Sequence, residues 1–269
     1  MNSKIAWFGK HFGEEPPLVG KRGAGTIFFS GCNLRCVYCQ NYQISQQNIG
    51  KEHSADELIK IMLKLQTDGA VYIDFVSPTI WAKQIIFAVL EARKQGLGIP
   101  IVWNSNAYES ASLIEKLNGF VDIFLPDFKY GDDAIALKYS GVKNYIKKAK
   151  ESIKEMFSQV GNLNTSKDGI AKKGMIIRHL ILPGHVESSF KALDFIKEID
   201  KNIHISLMSQ YEPVYRAKDF PEIDRKLTLK EFEKVYNYQL GLGLENGWVQ
   251  ELKSHSALLP DFTKENPFK

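Results

Sequence analysis

The chain has 269 residues, with 35 Lys and Arg against 31 Asp and Glu, a net charge of +4 spread along its length. So slight a charge gives no footprint for a nucleic-acid partner, and no run of about 18 apolar residues marks a membrane span. The length admits one large domain, since α/β barrels of this size are commonly undivided; Met1 to Lys10 lacks the continuous apolar core of a signal peptide.

In chain order, Met1 to Arg22 contains Pro16-Pro17 and several glycines and reads as an extended arm, with His11 open to a ligand role but read first as a surface or arm-packing histidine. Gly25 to Ser30 is apolar, β-branched and aromatic and ends in Ser30-Gly31, the pattern of a buried strand opening into a loop. Ser54 and Glu57 form a capping box ahead of Leu58, Ile61, Met62 and Leu65 at helical spacing, and Asp68-Gly69 ends that helix. There follow a strand over Ala70 to Val76, a helix over Thr79 to Gln95, a strand over Ile99 to Trp103, a helix over Ser110 to Leu117 and a strand over Val121 to Leu125. Asp132 to Val160 is largely helical with a break at Ser140-Gly141, and Asn162 to Lys173 is a polar loop. Met175 to Leu182 is a strand, Val186 to Ile199 a helix, Ile203 to Met208 a strand and Thr228 to Leu240 a helix, with a short last strand at Trp248 to Leu252. Gly241, Gly243 and Gly247 have the wrong spacing for a nucleotide loop and follow a helix, so they read as a helix stop with turns.

Six strands alternating with helices predict parallel β/α units joined by right-handed crossovers. Six are too few to close an eightfold barrel. The expected fold is α/β, a partial (β/α)6 barrel over 23–252, with an N-terminal arm at 1–22 and a C-terminal tail at 253–269.

All three cysteines, Cys32, Cys36 and Cys39, fall between Gly31 and Asn41 in the spacing C-x3-C-x2-C, directly after the first barrel strand. Three thiolates on one loop can converge on a soft metal centre, but iron–sulfur clusters usually take four cysteines. An open metal position points to chemistry rather than structure. The residues also allow a zinc knot completed by a histidine such as His53, or a disulfide with a spare thiol. Three clustered cysteines without remote partners do not make a disulfide framework and fit a reducing cytoplasm.

The strand followed by C-x3-C-x-aromatic-C, with Tyr38 as the aromatic, resembles the radical S-adenosylmethionine (radical SAM) superfamily. The resemblance implies that Cys32, Cys36 and Cys39 hold a [4Fe-4S] cluster. It implies that the bare iron chelates S-adenosyl-L-methionine, and that a reduced flavodoxin or ferredoxin-type donor supplies the electron releasing a 5′-deoxyadenosyl radical. The phrases H-F-G-E-E-P-P and G-A-G-T-I-F-F-S-G-C resemble an uncharacterised iron–sulfur branch grouped with the pyruvate formate-lyase activating enzymes. That branch suggests a glycyl-radical enzyme as protein substrate. Modification of a small molecule or peptide is the rival within the same chemistry; a non-enzymatic iron–sulfur or zinc protein is the rival outside it.

In parallel β/α barrels functional residues gather at the C-terminal ends of strands. The resemblance places Asn41, just past Cys39, near the cofactor. Ser77 stands where many relatives have Gly-Gly-Glu-Pro holding the methionine amine; both glycines and the Glu are lacking here. Asn104 and Asn106 correspond to the Asp-Thr-Asn stretch of activating enzymes. Asp127 and Lys129 project to one side of an extended backbone, where a Lys can pair with the methionine carboxylate and an Asp can orient it or bind a cation. Arg178 is a candidate for the carboxylate or ribose and Leu180 for adenine, while His179 points to the opposite face as a structural histidine. Gln210 stands where some relatives carry a His beside the nucleoside. Asn246 to Glu251 and Leu258 to Phe262 resemble phrases of the same branch and can border a substrate cleft.

Overall fold

The computed structural model describes residues 2–250 and 259–269. The chain opens with β1 (Asn2–His11), a short α1 (Pro16–Val19) whose first residue is a proline, and β2 (Ala24–Phe29), all six residues of which are buried. The loop that follows carries the cysteines and leads through α2 (Tyr42–Ser45) and β3 (Lys51–Ser54) into α3 (Ala55–Thr67). Next come β4 (Ile73–Val76), α4 (Ala82–Lys94), β5 (Ile101–Ser105), α5 (Ala111–Glu115), β6 (Ile123–Pro126), α6 (Asp133–Ser140) and α7 (Tyr145–Val160). The chain then forms β7 (Asn164–Thr165), β8 (Ala171–Leu180), α8 (Val186–Ile199), β9 (His204–Met208), α9 (Leu229–Gly241) and β10 (Gly247–Val249).

The strands lie in the order β10-β9-β8-β6-β5-β4-β2-β1-β3, with β7 paired to β8 off this path. Every neighbour pair from β2 to β10 is parallel, and β1 runs antiparallel to both β2 and β3. This is the open, partial (β/α)6 barrel expected, and its parallel strands all end on one rim. No helix among the described residues is long and apolar enough to cross a membrane.

Alternation along each strand divides the core. Ile73 and Phe75 of β4, Trp103 of β5, Phe124 of β6 and Ile177 of β8 face the helices in the main core. Val102, Ile123, Leu125 and Ile176 face inward and pack with Tyr72, Ala171 and Leu18 of α1 in a second cluster. The Tyr72 hydroxyl sits 2.6 Å from the Pro17 carbonyl oxygen and 2.8 Å from that of Ala171. Thus α1 plugs the barrel interior from below.

Several elements match the sequence reading. Ser54 and Glu57 form the capping box, and Gly141 ends α6 in the left-handed region at the expected break. Others differ. Residues read as an extended arm are extended, but β1 is paired on both sides within the sheet, and α1 follows it. Thr79–Trp81 is a 3-10 turn before α4 begins. The polar loop before β8 contains a small hairpin, Asn164 opposite Lys173 and Thr165 opposite Ala171, so β8 starts earlier than its apolar run. There Gly174, at φ +127°, lets the backbone of Asn162 approach where a side chain would collide. The last strand is Gly247–Val249; Glu251 and Leu252 of the expected strand, and Leu258 of the tail, lie outside the described residues.

Gly247 is therefore a strand residue and no loop punctuation. Its φ is +126°, and a Cβ there would stand 1.9 Å from the Ile205 carbonyl oxygen of β9. Gly247→Ala is expected to destabilise the protein by about 1–3 kcal/mol, read as a lower denaturant midpoint with an unchanged slope.

Candidate functional site

At the C-terminal rim, the nine residues that the resemblance sets around the cofactor, the motif aromatic Tyr38 and the three cysteines all line one cavity of about 330 Å³. His53 is not among its walls; it lies on β3 with its ring edge against Phe8. The zinc knot completed by His53 therefore has no geometric support.

The cysteine loop leaves β2 at Ser30. Its backbone is anchored to the C-terminus of α6, where Arg35 N–H donates to the Ser140 carbonyl at 3.1 Å and Val37 N–H to that of Tyr139 at 2.8 Å. Hydrogen-bonding groups surround the sulfurs. Cys32 Sγ accepts from the Leu34 N–H at 3.4 Å and from Asn106 Nδ2 at 3.3 Å, while Ser140 Oγ lies 2.9 Å from Cys36 Sγ and Ser45 Oγ 3.2 Å from Cys39 Sγ. Burial, then the neighbouring Cys36, pushes the Cys39 thiol up to about 12, and the same two causes raise Cys32. Negative charge on these sulfurs is thus disfavoured unless a cation shares the site, which is what a bound metal centre provides. Among the described residues no three His, Cys, Asp or Glu side chains gather closely enough for a single metal ion. Three cysteine sulfurs on one cavity, two of them with burial opposing their charge, are soft donors for a cationic metal centre. The donor set therefore fits a [4Fe-4S] cluster.

The strand ends form the opposite wall. Ser77, just past β4, has φ +57°, a left-handed conformation that a glycine adopts without strain. The Ser77 N–H donates to the Asn104 carbonyl at 3.0 Å. Asn41 occupies the N-cap position of α2 but makes no side-chain cap, which leaves its amide free to face the cavity. Asn106 is drawn to the cysteine loop, donating to Asn33 Oδ1 at 2.7 Å as well as to Cys32. Lys129 Nζ lies 2.6 Å from Asp127 Oδ2, while Asp127 Oδ1 is buried without a hydrogen-bond partner. Burial opposes the charge on Lys129, but Asp127 and the nearby Cys36 outweigh it and hold the ammonium protonated. Leu180 of β8 lies opposite Met208 of β9, and Gln210 carries a buried Oε1 without a partner. Tyr38 is also at the cavity, but its hydroxyl donates to Tyr130 at 2.6 Å.

Arg178 is placed differently from what its strand-end position suggests. Its guanidinium forms a buried ion pair with Glu14 and a bidentate one with Glu15, both contacts to Glu15 at 2.7 Å, and only a long 3.5 Å contact reaches Asn104. Burial works against both charges of the Arg178–Glu15 pair; their mutual attraction wins, raising the arginine and lowering the glutamate. Asp74 lies beneath, 1% exposed, with neither carboxylate oxygen hydrogen-bonded. Burial, then Glu14, drives it well above the usual carboxylate range, favouring the neutral acid. Sequence reasoning missed Glu14, Glu15, Asp74 and the cavity-lining Ser206. The H-F-G-E-E-P-P phrase was the available signal, but nothing local says that its two glutamates enter the barrel.

His179 faces away, as expected. Its Nδ1 is 2.7 Å from the Phe128 carbonyl, which can only accept, so Nδ1 carries the proton and Nε2 accepts from Ser189 Oγ at 2.8 Å. Burial holds it neutral with a pKa lowered to about 4.

A partial parallel barrel with a three-cysteine loop at the end of its first core strand defines an iron–sulfur enzyme scaffold. The sequence model of the radical SAM superfamily matches residues 26–193, and the chain belongs to that superfamily. It is 37% identical over 235 residues to an uncharacterised protein of Methanocaldococcus jannaschii, a match covering 84% of this chain and 63% of that one. To the pyruvate formate-lyase-activating enzyme of Clostridium pasteurianum it is 26% identical over 243 residues, 83% of this chain and 94% of the relative. The fold is similar to that of Streptococcus suis SuiB bound to S-adenosylmethionine, with a TM-score of 0.57 and 17% identity; the match covers 82% of this chain and 48% of SuiB. Membership implies S-adenosylmethionine and a [4Fe-4S] cluster as the working groups.

Two outcomes follow from the buried charges. Arg178→Met strands two buried carboxylates and is expected to cost about 3–5 kcal/mol of stability, read by urea unfolding under anaerobic conditions. His179 has a folded pKa of about 4 against an ordinary 6.5, so between those values the unfolded chain binds the extra proton. Its contribution is complete above pH 6.5 and is lost as pH falls toward 4, by up to about 3 kcal/mol. Unfolding titrations from pH 7 to 4.5 should show a shallower decline in His179→Gln than in the wild type.

Proposed function

We propose that this chain is a radical SAM oxidoreductase of the activating-enzyme type, which abstracts a hydrogen atom from a protein partner, a glycyl-radical enzyme. The carrying observation is that Cys32, Cys36 and Cys39 share one cavity with the Asp127–Lys129 pair and the other strand-end residues. The match to the Clostridium pasteurianum activating enzyme, which extends over nearly all of that protein, supports the finer assignment. When bound, the reduced cluster and S-adenosylmethionine supply a 5′-deoxyadenosyl radical.

In this reading Cys32, Cys36 and Cys39 would hold the cluster as thiolates, beside the part of the cavity that would take the nucleoside. Lys129 offers a positive charge in a mostly buried setting, where it binds a carboxylate more strongly than it would in water. Asp127 orients that ammonium and keeps one oxygen free for a further donor. Ser77, Asn104 and Gln210 present neutral oxygens and amides around the cavity, suited to an amine and a ribose. The aromatic group of Phe28, Phe262, Phe268 and His11 closes one side against water. The electron comes from a reduced flavodoxin or ferredoxin-type protein, and the three thiols without disulfide partners agree with a cytoplasmic setting.

Anaerobic reconstitution tests this. The wild type should take up about four irons per chain and convert S-adenosylmethionine to 5′-deoxyadenosine with dithionite, whereas Cys36→Ala should lose both. With a cognate glycyl-radical protein, paramagnetic resonance should show a glycyl signal. Cleavage without that signal across cognate partners overturns the activase assignment; an iron-loaded protein inert toward S-adenosylmethionine overturns the whole reading.

A further inference from the structure

Each cysteine sulfur has a side-chain hydrogen-bond partner, and the three partners come from separate parts of the chain: Asn106 beside Cys32, Ser140 beside Cys36 and Ser45 beside Cys39. Ser140 stands apart from the other two. It is fully buried at the end of α6, and its hydroxyl continues into a chain of others. Ser140 Oγ lies 2.5 Å from the Tyr130 hydroxyl, and the Tyr38 hydroxyl donates to Tyr130 at 2.6 Å. Four groups, Tyr38, Tyr130, Ser140 and Cys36, therefore run in line through an interior in which each residue is at most 7% exposed.

The direction of this chain follows from proton counting. A hydroxyl has one proton to donate, and a metal-bound thiolate can only accept. Ser140 must then donate to Cys36 Sγ, accept from Tyr130, and Tyr130 must accept from Tyr38. All three donations run toward the same sulfur, and hydrogen bonds in series polarise one another in a medium of low dielectric. The geometry is held from the backbone, because the Arg35 N–H donates to the Ser140 carbonyl and Gly141 caps α6 in the left-handed region.

Resting on the ligand assignment above, we infer that Ser140, oriented by Tyr130, is a positioning residue that raises the reduction potential of a cluster held by Cys36. Hydrogen bonds to cluster sulfurs are among the groups that set such potentials. A one-electron reduced cluster carries one more negative charge than the oxidised form, so a donor aimed at its sulfur stabilises the reduced form more. Asn106 and Ser45 each have a single donor behind them, the Tyr108 N–H at 3.0 Å and Gln46 Nε2 at 3.3 Å, and no series of buried hydroxyls. Tyr38 thus serves the cluster through its hydroxyl, in addition to any contact of its ring with the cavity.

The test is a dithionite redox titration of the full-length, anaerobically reconstituted protein, followed by paramagnetic resonance of the reduced cluster. Ser140→Ala is expected to bind as much iron as the wild type and to shift its midpoint negative, so that the reduced fraction at a fixed poise falls several-fold. Tyr130→Phe leaves the serine donor in place, removes its polarising neighbour and takes the acceptor from the Tyr38 hydroxyl; it is expected to shift the midpoint the same way by less. An iron-replete Ser140→Ala with the wild-type midpoint overturns the inference, since a merely structural hydrogen bond would change stability and not potential. If Ser140→Ala fails to load iron, Tyr130→Phe decides, and a wild-type midpoint there overturns it equally. A wild type that takes up no cluster overturns the ligand assignment itself, a failure distinguishable by its iron content.

Discussion

A buried arginine organises the interior of this barrel. Arg178 projects from β8 into a space that six β/α units leave too wide for strand side chains alone to fill. An isolated guanidinium there would be prohibitive to desolvate. The chain meets it with Glu14 and Glu15, brought in by the segment between β1 and α1. The consequence is architectural. Once the two glutamates are inside, Pro16 can start α1, Leu18 can plug the floor with Tyr72, Val102 and Ile176, and the cavity gains a polar base beneath its strand-end walls. The ion pair is a weak source of net stability compared with an apolar core, but it makes the N-terminal segment an obligatory part of the barrel.

Above that base the cavity divides into two chemical regions. On one side sit three sulfurs, each with a hydrogen-bonding side chain beside it, and burial raises the thiols of Cys32 and Cys39. On the other, Asp127 and Lys129 form a paired charge with a spare carboxylate oxygen, among neutral asparagine, glutamine and serine groups. Tyr145 links the two regions from behind: its hydroxyl accepts from the Lys129 N–H at 2.8 Å and lies 3.2 Å from the Asp127 carbonyl and 3.3 Å from that of Asn106. The ends of β5 and β6 are thereby held in one geometry.

Ser77 holds a left-handed backbone, at φ +57°, that a glycine would adopt without strain. Holding a serine there costs roughly 1–3 kcal/mol unless the surroundings compensate. The hydrogen bond from its N–H to Asn104, at the adjoining strand end, is the local support.

Much of the fold was legible because it depends on short-range pattern. The alternation of apolar runs and helical faces, the capping box at Ser54 and the stop at Gly141 are decided within a few residues, and β/α alternation leaves few topologies. The spacing of Cys32, Cys36 and Cys39 was likewise readable, since one loop carries all three. Strand-end position placed Asp127, Lys129, Asn104 and Gln210 at the cavity, because parallel strands must all finish on the same rim. What local pattern could not reveal was which distant groups would be buried together. Glu15 meets Arg178 across 163 residues and Ser140 meets Cys36 across 104. A serine at a helix end and two glutamates before a proline look like ordinary surface residues until the barrel closes around them. Only then does desolvation require each to find a partner, and that requirement belongs to the assembled interior, not to any stretch of chain.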